Sequence, residues 1–173
     1  EIYLRYKKRL DHELTIITRK QTKNLEHIKK EIKIEKFDIS NFKSINESII
    51  KNKPEIIVHL AGNTSHSKSF EKPLMDINSN IKSTLNILES LRSSLPNCKF
   101  VLGSTFVVIG KPDKLPVNEK SQCSPTTLYG VNKLTSEFYS KIYNNVYGLD
   151  TSIFRITNSF GPREQIIPKK NAV

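Results

Sequence analysis

Cysteines and long apolar runs are scarce in this sequence. Its two cysteines, Cys98 and Cys123, cannot form a disulfide framework in 173 residues, and no neighbouring Cys or His gives them the spacing of a zinc site. We interpret both as plain thiols. No apolar stretch approaches the roughly 18 residues of a membrane span, and the first residues do not resemble a signal peptide. We therefore expect a cytoplasmic protein with no metal and no membrane partner.

Acidic residues are also few, with 17 Asp and Glu against 28 Lys and Arg, which gives a net charge of +11. Such a balance can indicate a nucleic-acid partner. However, the lysines are interleaved with glutamates, as in "HIKKEIKIEKF" (27–37), and no basic stripe with interleaved aromatic residues is present. We expect a solvated basic surface and no nucleic-acid partner, although this charge also suits phosphate-bearing small molecules.

Strand-like and helix-like segments alternate along the chain, with no internal repeat, low-complexity tract or interdomain linker. Five β-branched segments predict strands at 13–18, 32–39, 55–62, 98–105 and 150–157. Amphipathic segments predict helices at 1–10, 41–52, 73–95 and 126–147. This alternation predicts an α/β fold, a doubly wound parallel sheet with helices on both faces.

Apolar spacing predicts which residues of two helices face the core. In the helix at 41–52 these are Phe42, Ile45 and Ile49. In the helix at 73–95 they are Ile77, Ile81, Leu85 and Leu88. The Pro-bearing segment 110–127 is predicted to be a loop.

The predicted strand ends are rich in small and polar residues, and in such sheets ligands bind at the carboxyl ends of the strands. Near them, "LYGVNK" (128–133) places Tyr129 and Lys133 four residues apart, on one face of a predicted helix. The two side chains could act on one ligand. The spacing alone equally allows a partly buried tyrosine beside a solvated lysine.

Five segments occur in a specific order: "HLAG" (59–62), "NIKSTLNILES" (80–90), "GSTFVVIG" (103–110), "YGVNK" (129–133) and "RITNSFGPRE" (155–164). Together they resemble the extended short-chain dehydrogenase/reductase superfamily, and within it the nucleotide-sugar epimerases and dehydratases that use a bound nicotinamide cofactor. The resemblance implies a Rossmann-like fold, with residues 1–173 forming one partial NAD(P)-binding domain.

The resemblance also implies catalytic roles for three residues. Tyr129 would be the active-site acid or base, with its pKa lowered by the Lys133 ammonium and the nicotinamide ring. Lys133 would also bond the nicotinamide ribose. The hydroxyl of Thr105, in "GST", would bond the sugar oxygen that is oxidised. The implied activity is that of a UDP-glucose 4-epimerase-like enzyme working through a transient keto-sugar.

For the cofactor, the resemblance implies contacts from residues at three strand ends and on the long helix. They are Arg19, Asp38, Ile39, Leu60, Ala61, Gly62 and Asn80, together with Tyr129 and Lys133. Ser83 stands where the family usually has a glycine. An Arg at position 19 could accommodate the 2′-phosphate of NADP or could be an ordinary surface cation, so the cofactor is either NAD or NADP.

For the substrate, the resemblance implies that Asn158 and Arg163 contact the nucleotide-sugar together with Thr105. Related dehydratases usually carry an acid just after that threonine, whereas this chain has Phe106 and Val107. That difference favours an epimerase. The alternatives are an NADP-dependent reductase, a dehydratase, or a non-catalytic scaffold on the same fold.

Finally, the family begins with a strand and a glycine-rich turn, whereas this chain starts at Glu1 in the helix that would follow that turn. We therefore expect a fragment that lacks the first strand and most of the C-terminal substrate lobe. Its sheet should divide into two half-sheets with unpaired inner edges, and the fragment itself should be inactive. The full-length parent should be a homodimer that pairs through the helices at 73–95 and 126–147.

Overall fold

The computed structural model describes residues 13–19, 25–26, 28 and 30–158. Its strands are β1 (Thr15–Thr18), β2 (Lys33–Lys36), β3 (Ile56–His59), β4 (Lys99–Thr105) and β5 (Thr151–Ile156). Its α-helices are α1 (Phe42–Asn52), α2 (His66–Glu71), α3 (Pro73–Ile77), α4 (Ser83–Ser94) and α5 (Leu128–Tyr147). A π-helical turn, Asn78–Lys82, joins α3 to α4, and a 3-10 turn, Phe106–Ile109, follows β4. The helix predicted at 1–10 lies outside the described residues.

The strands form two separate parallel sheets, in the orders β1-β2 and β3-β4-β5. In the larger sheet Val58 pairs with Val101, and Val101 pairs with Ser152, so β4 is the central strand. The predicted parallel α/β architecture is therefore confirmed, and so is the division into two half-sheets. Because all strands are parallel, their carboxyl ends lie at one edge, which is where a ligand is expected.

The hydrophobic core lies between one face of the larger sheet and helices α1, α4 and α5. Its fully buried side chains include Leu88 and Leu91 of α4, Phe100 and Leu102 of β4, and Leu149 just before β5. At about 25 cal/mol per Å² of apolar surface, each such side chain contributes about 1.5 to 3 kcal/mol on burial. This packing holds the ends of β3 and β4 in place against α5.

Two of the predicted core positions are wrong. Phe42 is 46% exposed, because α1 buries Ile45 and Ile49 against α4 and the first turn extends past that contact. Ile77 is 40% exposed. The π turn that follows Ile77 has more residues per turn than an α-helix, so the buried face of the helix after it is rotated relative to Ile77. Ile87 and Leu91 lie on that buried face.

The short helix α2 was not predicted, since its residues were assigned to the strand-end segment 59–67 and the stretch after it. It begins after Ser65, whose side chain accepts a hydrogen bond from the backbone N–H of Lys68. It carries no apolar periodicity, which is why its sequence resembles a loop. The predicted loop at 110–127 is present.

Cys98 is buried, Cys123 is half-buried, and both are free thiols, as predicted. Burial raises the pKa of the Cys98 thiol to about 11. Across the described part of the chain, no helix combines the length and apolarity needed to cross a bilayer. The same residues contain no group of three or more His, Cys, Asp or Glu side chains arranged to bind a metal.

Candidate active site

Helix α5 places Tyr129 and Lys133 beside the end of β4. It begins after Thr127, whose hydroxyl accepts a hydrogen bond from the backbone N–H of Gly130 at 3.1 Å. A side chain at Gly130 would lie only 2.9 Å from Pro125, so the first turn of α5 packs tightly against the preceding loop. Tyr129 is 8% exposed and Lys133 is 6% exposed. The alternative of a solvated lysine is therefore wrong.

Lys133 reaches the backbone of the central strand. Its Nζ donates a hydrogen bond to the carbonyl oxygen of Gly103 at 2.6 Å. Burial lowers the pKa of Lys133 to about 8, opposed by the nearby charge of Glu137. Beside it, His59 is held neutral: burial, and then the Lys133 charge, lower its pKa to about 3. The His59 Nε2 lies 3.1 Å from the hydroxyl of Thr84.

Thr105 is the last residue of β4, and its hydroxyl lies close enough to the Tyr129 phenol to lower the pKa of that phenol. The pKa of Tyr129 is raised, because burial disfavours the phenolate; the Thr105 hydroxyl lowers it, and the charge of Asp76 raises it further. This direction is opposite to the lowering we expected. The structure does bring Thr105, Tyr129 and Lys133 together at the carboxyl end of one strand.

A second group of predicted residues lines a cavity of about 380 Å³ between the two sheets. The predicted residues on its wall are Arg19, Asp38, Ile39, Ala61 and Gly62, which are joined by Ile17, Thr18, Phe37 and Ser79. The Arg19 guanidinium lies 3.6 Å from the Asp38 carboxylate. The backbone N–H of Ser40 also bonds Asp38, and these contacts hold the pKa of its carboxyl below the usual range despite partial burial.

Gly62 and Asn80 lie against each other at the edge of this cavity. A Cβ at Gly62 would overlap Asn80 Oδ1, so any other residue there would require the Asn80 side chain to move. Asn80 is buried, and its Oδ1 has no hydrogen-bond partner among the described residues. Leu60 is exposed and does not line the cavity.

The predicted substrate residues lie at the far end of the described chain. Asn158 is exposed two residues beyond β5, and Arg163 lies outside the described residues.

Two buried polar clusters were missed by the sequence analysis. Glu137, one turn after Lys133, accepts a hydrogen bond from Ser104 at 2.6 Å and forms a bidentate ion pair with Arg155. Asp76, one turn before Asn80, is fully buried. The only sequence signal for either residue was its position. Glu137 lies four residues after Lys133 and Asp76 lies four residues before Asn80, so each shares a helix face with a residue predicted for the site.

Comparison with known families decides the family of this chain. The family model described as GDP-mannose 4,6 dehydratase matches residues 5–172. The chain belongs to this family of nucleotide-sugar epimerases and dehydratases. The resemblance drawn from the ordered segments is thereby confirmed.

Three other members of this epimerase/dehydratase family compare with the chain as follows. A candidate UDP-glucose 4-epimerase of Methanocaldococcus jannaschii is 31% identical over 162 residues, covering 94% of this chain and 52% of that protein. The UDP-glucose 4-epimerase of Brucella ovis, solved in complex with NAD, is 25% identical with a TM-score of 0.70, covering 73% of this chain and 39% of that one. The UDP-glucose 4-epimerase of Thermotoga maritima, solved with UDP-glucose, has a TM-score of 0.86 at 23% identity, covering 95% and 53%.

These comparisons bear on the fold and on the length of the chain. The Thermotoga structure confirms the Rossmann-like fold. The chain spans about half the length of the relatives it matches.

Proposed function

We propose that the protein carrying this chain is an NAD(P)-dependent epimerase that acts on a nucleotide-activated sugar through a transient keto-sugar. Residues 1–173 would supply its partial NAD(P)-binding domain. The observation that supports this most directly is the buried contact of Tyr129 with Thr105, with Lys133 one helical turn away. The relatives described as UDP-glucose 4-epimerases support the substrate class.

The residues around the cavity fit a nicotinamide dinucleotide. Asp38 offers a carboxylate acceptor and Arg19 a cation, while Gly62 leaves room that any side chain would fill. Asn80, whose buried Oδ1 has no partner among the described residues, lies against Gly62 at this site. NAD is bound by the Brucella relative. Ile39 and Ala61, which also lie on the wall of the cavity, would complete this site on the adenine and ribose side.

Tyr129 and Thr105 would handle the proton of the reacting sugar hydroxyl. Thr105 orients that hydroxyl, and the Tyr129 oxygen takes its proton during oxidation and returns it during reduction. When bound, the cofactor would supply reversible hydride transfer with the sugar carbon. Burial raises the pKa of Tyr129, and Thr105 is the neighbour that lowers it. The Lys133 cation, one turn along α5, would favour the phenolate further.

On the substrate side, we propose that Asn158 and Arg163 contact the nucleotide-sugar phosphates. No acid follows Thr105, since Phe106 and Val107 occupy the next two positions. This favours epimerisation over elimination of water. The dehydratase alternative keeps support from the description of the matching family.

We also propose a homodimer, because one face of helix α5 carries exposed apolar side chains. Helix α5 carries exposed apolar side chains at helical spacing, namely Val131, Phe138, Ile142 and Val146. A second copy packed on this face would bury them.

The test is to incubate the full-length protein with NAD and UDP-glucose and to follow the sugar by proton NMR. Appearance of UDP-galactose without net reduction of NAD supports the epimerase. Net consumption of NADPH with a keto-sugar would indicate the reductase instead, and loss of one water from the sugar would indicate the dehydratase. No reaction with any nucleotide-activated sugar would support a non-catalytic scaffold.

A further inference from the structure

A fully buried carboxylate lies next to the Tyr129 site. Asp76, in α3, is 0% exposed, and no salt bridge to it occurs within the described part of the chain. Its Oδ1 accepts hydrogen bonds from Asn63 Nδ2 at 2.5 Å and Asn80 Nδ2 at 3.1 Å. Its Oδ2 accepts one from Asn132 Nδ2 at 2.6 Å. Because all three partners are amide donors, both carboxyl oxygens of Asp76 are acceptors.

The three asparagines belong to three different parts of the site. Asn63 follows Gly62 in the loop at the end of β3, and Asn80 lies in the π turn. Asn132 lies in α5, between Tyr129 and Lys133. One carboxylate therefore links the cofactor-side loop, the long helix and the helix that carries the proposed catalytic pair.

The π turn gives this linkage a second set of bonds. Its wider hydrogen-bonding pattern leaves the carbonyl oxygen of Asn80 free to accept from side chains. That oxygen receives the hydroxyl of Thr84 at 2.7 Å and the hydroxyl of Ser136, from α5, at 3.1 Å. The hydroxyl of Ser83 donates a hydrogen bond to the carbonyl oxygen of Ser79 at 2.6 Å. Ser83 stands where the family usually has a glycine, so its side chain adds a bond that glycine could not make.

Stability alone does not account for a charge at this position. A buried carboxylate carries a large desolvation cost, and three neutral amides compensate it less than a cation would. Replacing buried ionic groups with apolar ones is often neutral or stabilising. The charge of Asp76, beside the proposed catalytic pair Tyr129 and Lys133, is therefore better explained by its effect on that pair.

We propose that Asp76 is a positioning residue for the reaction proposed above, on which this inference rests. It fixes the start of α5, with Tyr129 and Lys133, against the loop at Gly62. In addition, its negative charge raises the pKa of the Tyr129 phenol, an effect smaller than that of burial. The other titratable groups around that phenol are His66, whose ring lies edge-on at 5.2 Å, and Lys133 on its own helix.

The test is the substitution Asp76→Asn in the full-length protein, which keeps the shape and removes the charge. We expect kcat to fall about 100-fold through misplacement of Tyr129, with a smaller change in KM. The acid limb of the pH–rate profile should move to lower pH, because the Tyr129 pKa falls. The phenol pKa can be read without turnover by carbon NMR of tyrosine labelled at Cζ, with Tyr129→Phe assigning the signal.

The matched control is Glu35→Gln. Glu35 is also a hydrogen-bonded carboxylate, with Ser48 at 2.6 Å and Asn52 at 3.2 Å, but it lies on β2, away from the Tyr129 site. This control should lose stability while leaving kcat and the Tyr129 pKa unchanged.

Each outcome decides the proposal. If folded Asp76→Asn keeps the wild-type kcat and phenol pKa, the positioning role is overturned, while an inactive Tyr129→Phe still supports the proposed function. If Tyr129→Phe turns over normally, the proposed function fails instead. If Asp76→Asn does not fold, Asn132→Ser removes only the α5 contact. The same loss of kcat in that variant supports the role, and an unchanged kcat overturns it.

Discussion

The Nζ of Lys133 donates a hydrogen bond to the backbone carbonyl of Gly103 at 2.6 Å, which ties helix α5 to the central strand β4. The lysine is almost completely buried, and burial lowers its pKa to about 8 from the 10.5 of a free lysine. The fold therefore carries the cost of a desolvated ammonium at neutral pH. A residue kept at such a cost is expected to serve the reaction rather than stability.

Replacing Lys133 with methionine should stabilise the protein. Near pH 7 we expect Lys133→Met to raise the free energy of unfolding by about 1 to 3 kcal/mol, after allowance for the lost Gly103 bond. The lysine pKa is about 8 in the folded state and 10.5 in the unfolded chain, so wild-type stability rises between these pH values. The advantage of the variant should shrink over the same interval, as measured by urea unfolding.

Lys141→Met is the control, because Lys141 is exposed on the same helix. It should change stability by less than about 0.5 kcal/mol. If Lys133→Met is instead the less stable protein at every pH, the buried ammonium stabilises the fold and our interpretation of its cost is wrong.

The ion pair of Glu137 with Arg155 should behave in the opposite way. Arg155→Met leaves the buried Glu137 carboxylate without its cation, which should lower the free energy of unfolding by about 3 kcal/mol. The double variant Glu137→Met/Arg155→Met removes both charges and should recover part of this loss. Chemical denaturation of the three proteins measures both effects, and equal stability of the single and double variants would show that the two residues are not coupled.

Arg19 should select for the 2′-phosphate of NADP if it belongs to the cofactor site. We expect Arg19→Ala to weaken NADPH binding about tenfold and NADH binding by less than about twofold. Fluorescence titration of both nucleotides measures the difference. Lys99→Ala, at the opposite end of β4, is the control for loss of a surface cation. Equal effects of Arg19→Ala on the two nucleotides would mean that Arg19 only pairs with Asp38.

Most of the fold was predictable because its signals are local. The β-branched segments and the apolar spacing of the helix at 126–147 located β4, β5 and α5 to within a few residues. The phase of the helix at 73–95 was not predictable, because the π turn interrupts a periodicity that the sequence continues. The short helix α2 depends on its Ser65 cap and on packing rather than on any apolar pattern.

The proximity of the three predicted catalytic residues could be predicted from the sequence, but the electrostatics around them could not. The ordered motifs identified Thr105, Tyr129 and Lys133, which the structure brings together. The direction of the Tyr129 pKa shift depends on burial and on Asp76, which lies 53 positions earlier in the chain. Asp76 is hydrogen-bonded to asparagines of three separate elements, and its spacing of four from Asn80 does not indicate that it lies beside Tyr129.

Turnover by Tyr129→Phe tests the central claim most directly. The variant should bind NAD with the affinity of the wild-type protein, yet its rate of UDP-glucose epimerisation should fall by about 10² to 10⁴, the contribution of a general acid–base group. Measurement of kcat beside the dissociation constant for NAD separates these two effects. Wild-type turnover by a folded, NAD-bound Tyr129→Phe protein would contradict the proposed role of Tyr129 and the epimerase mechanism built on it.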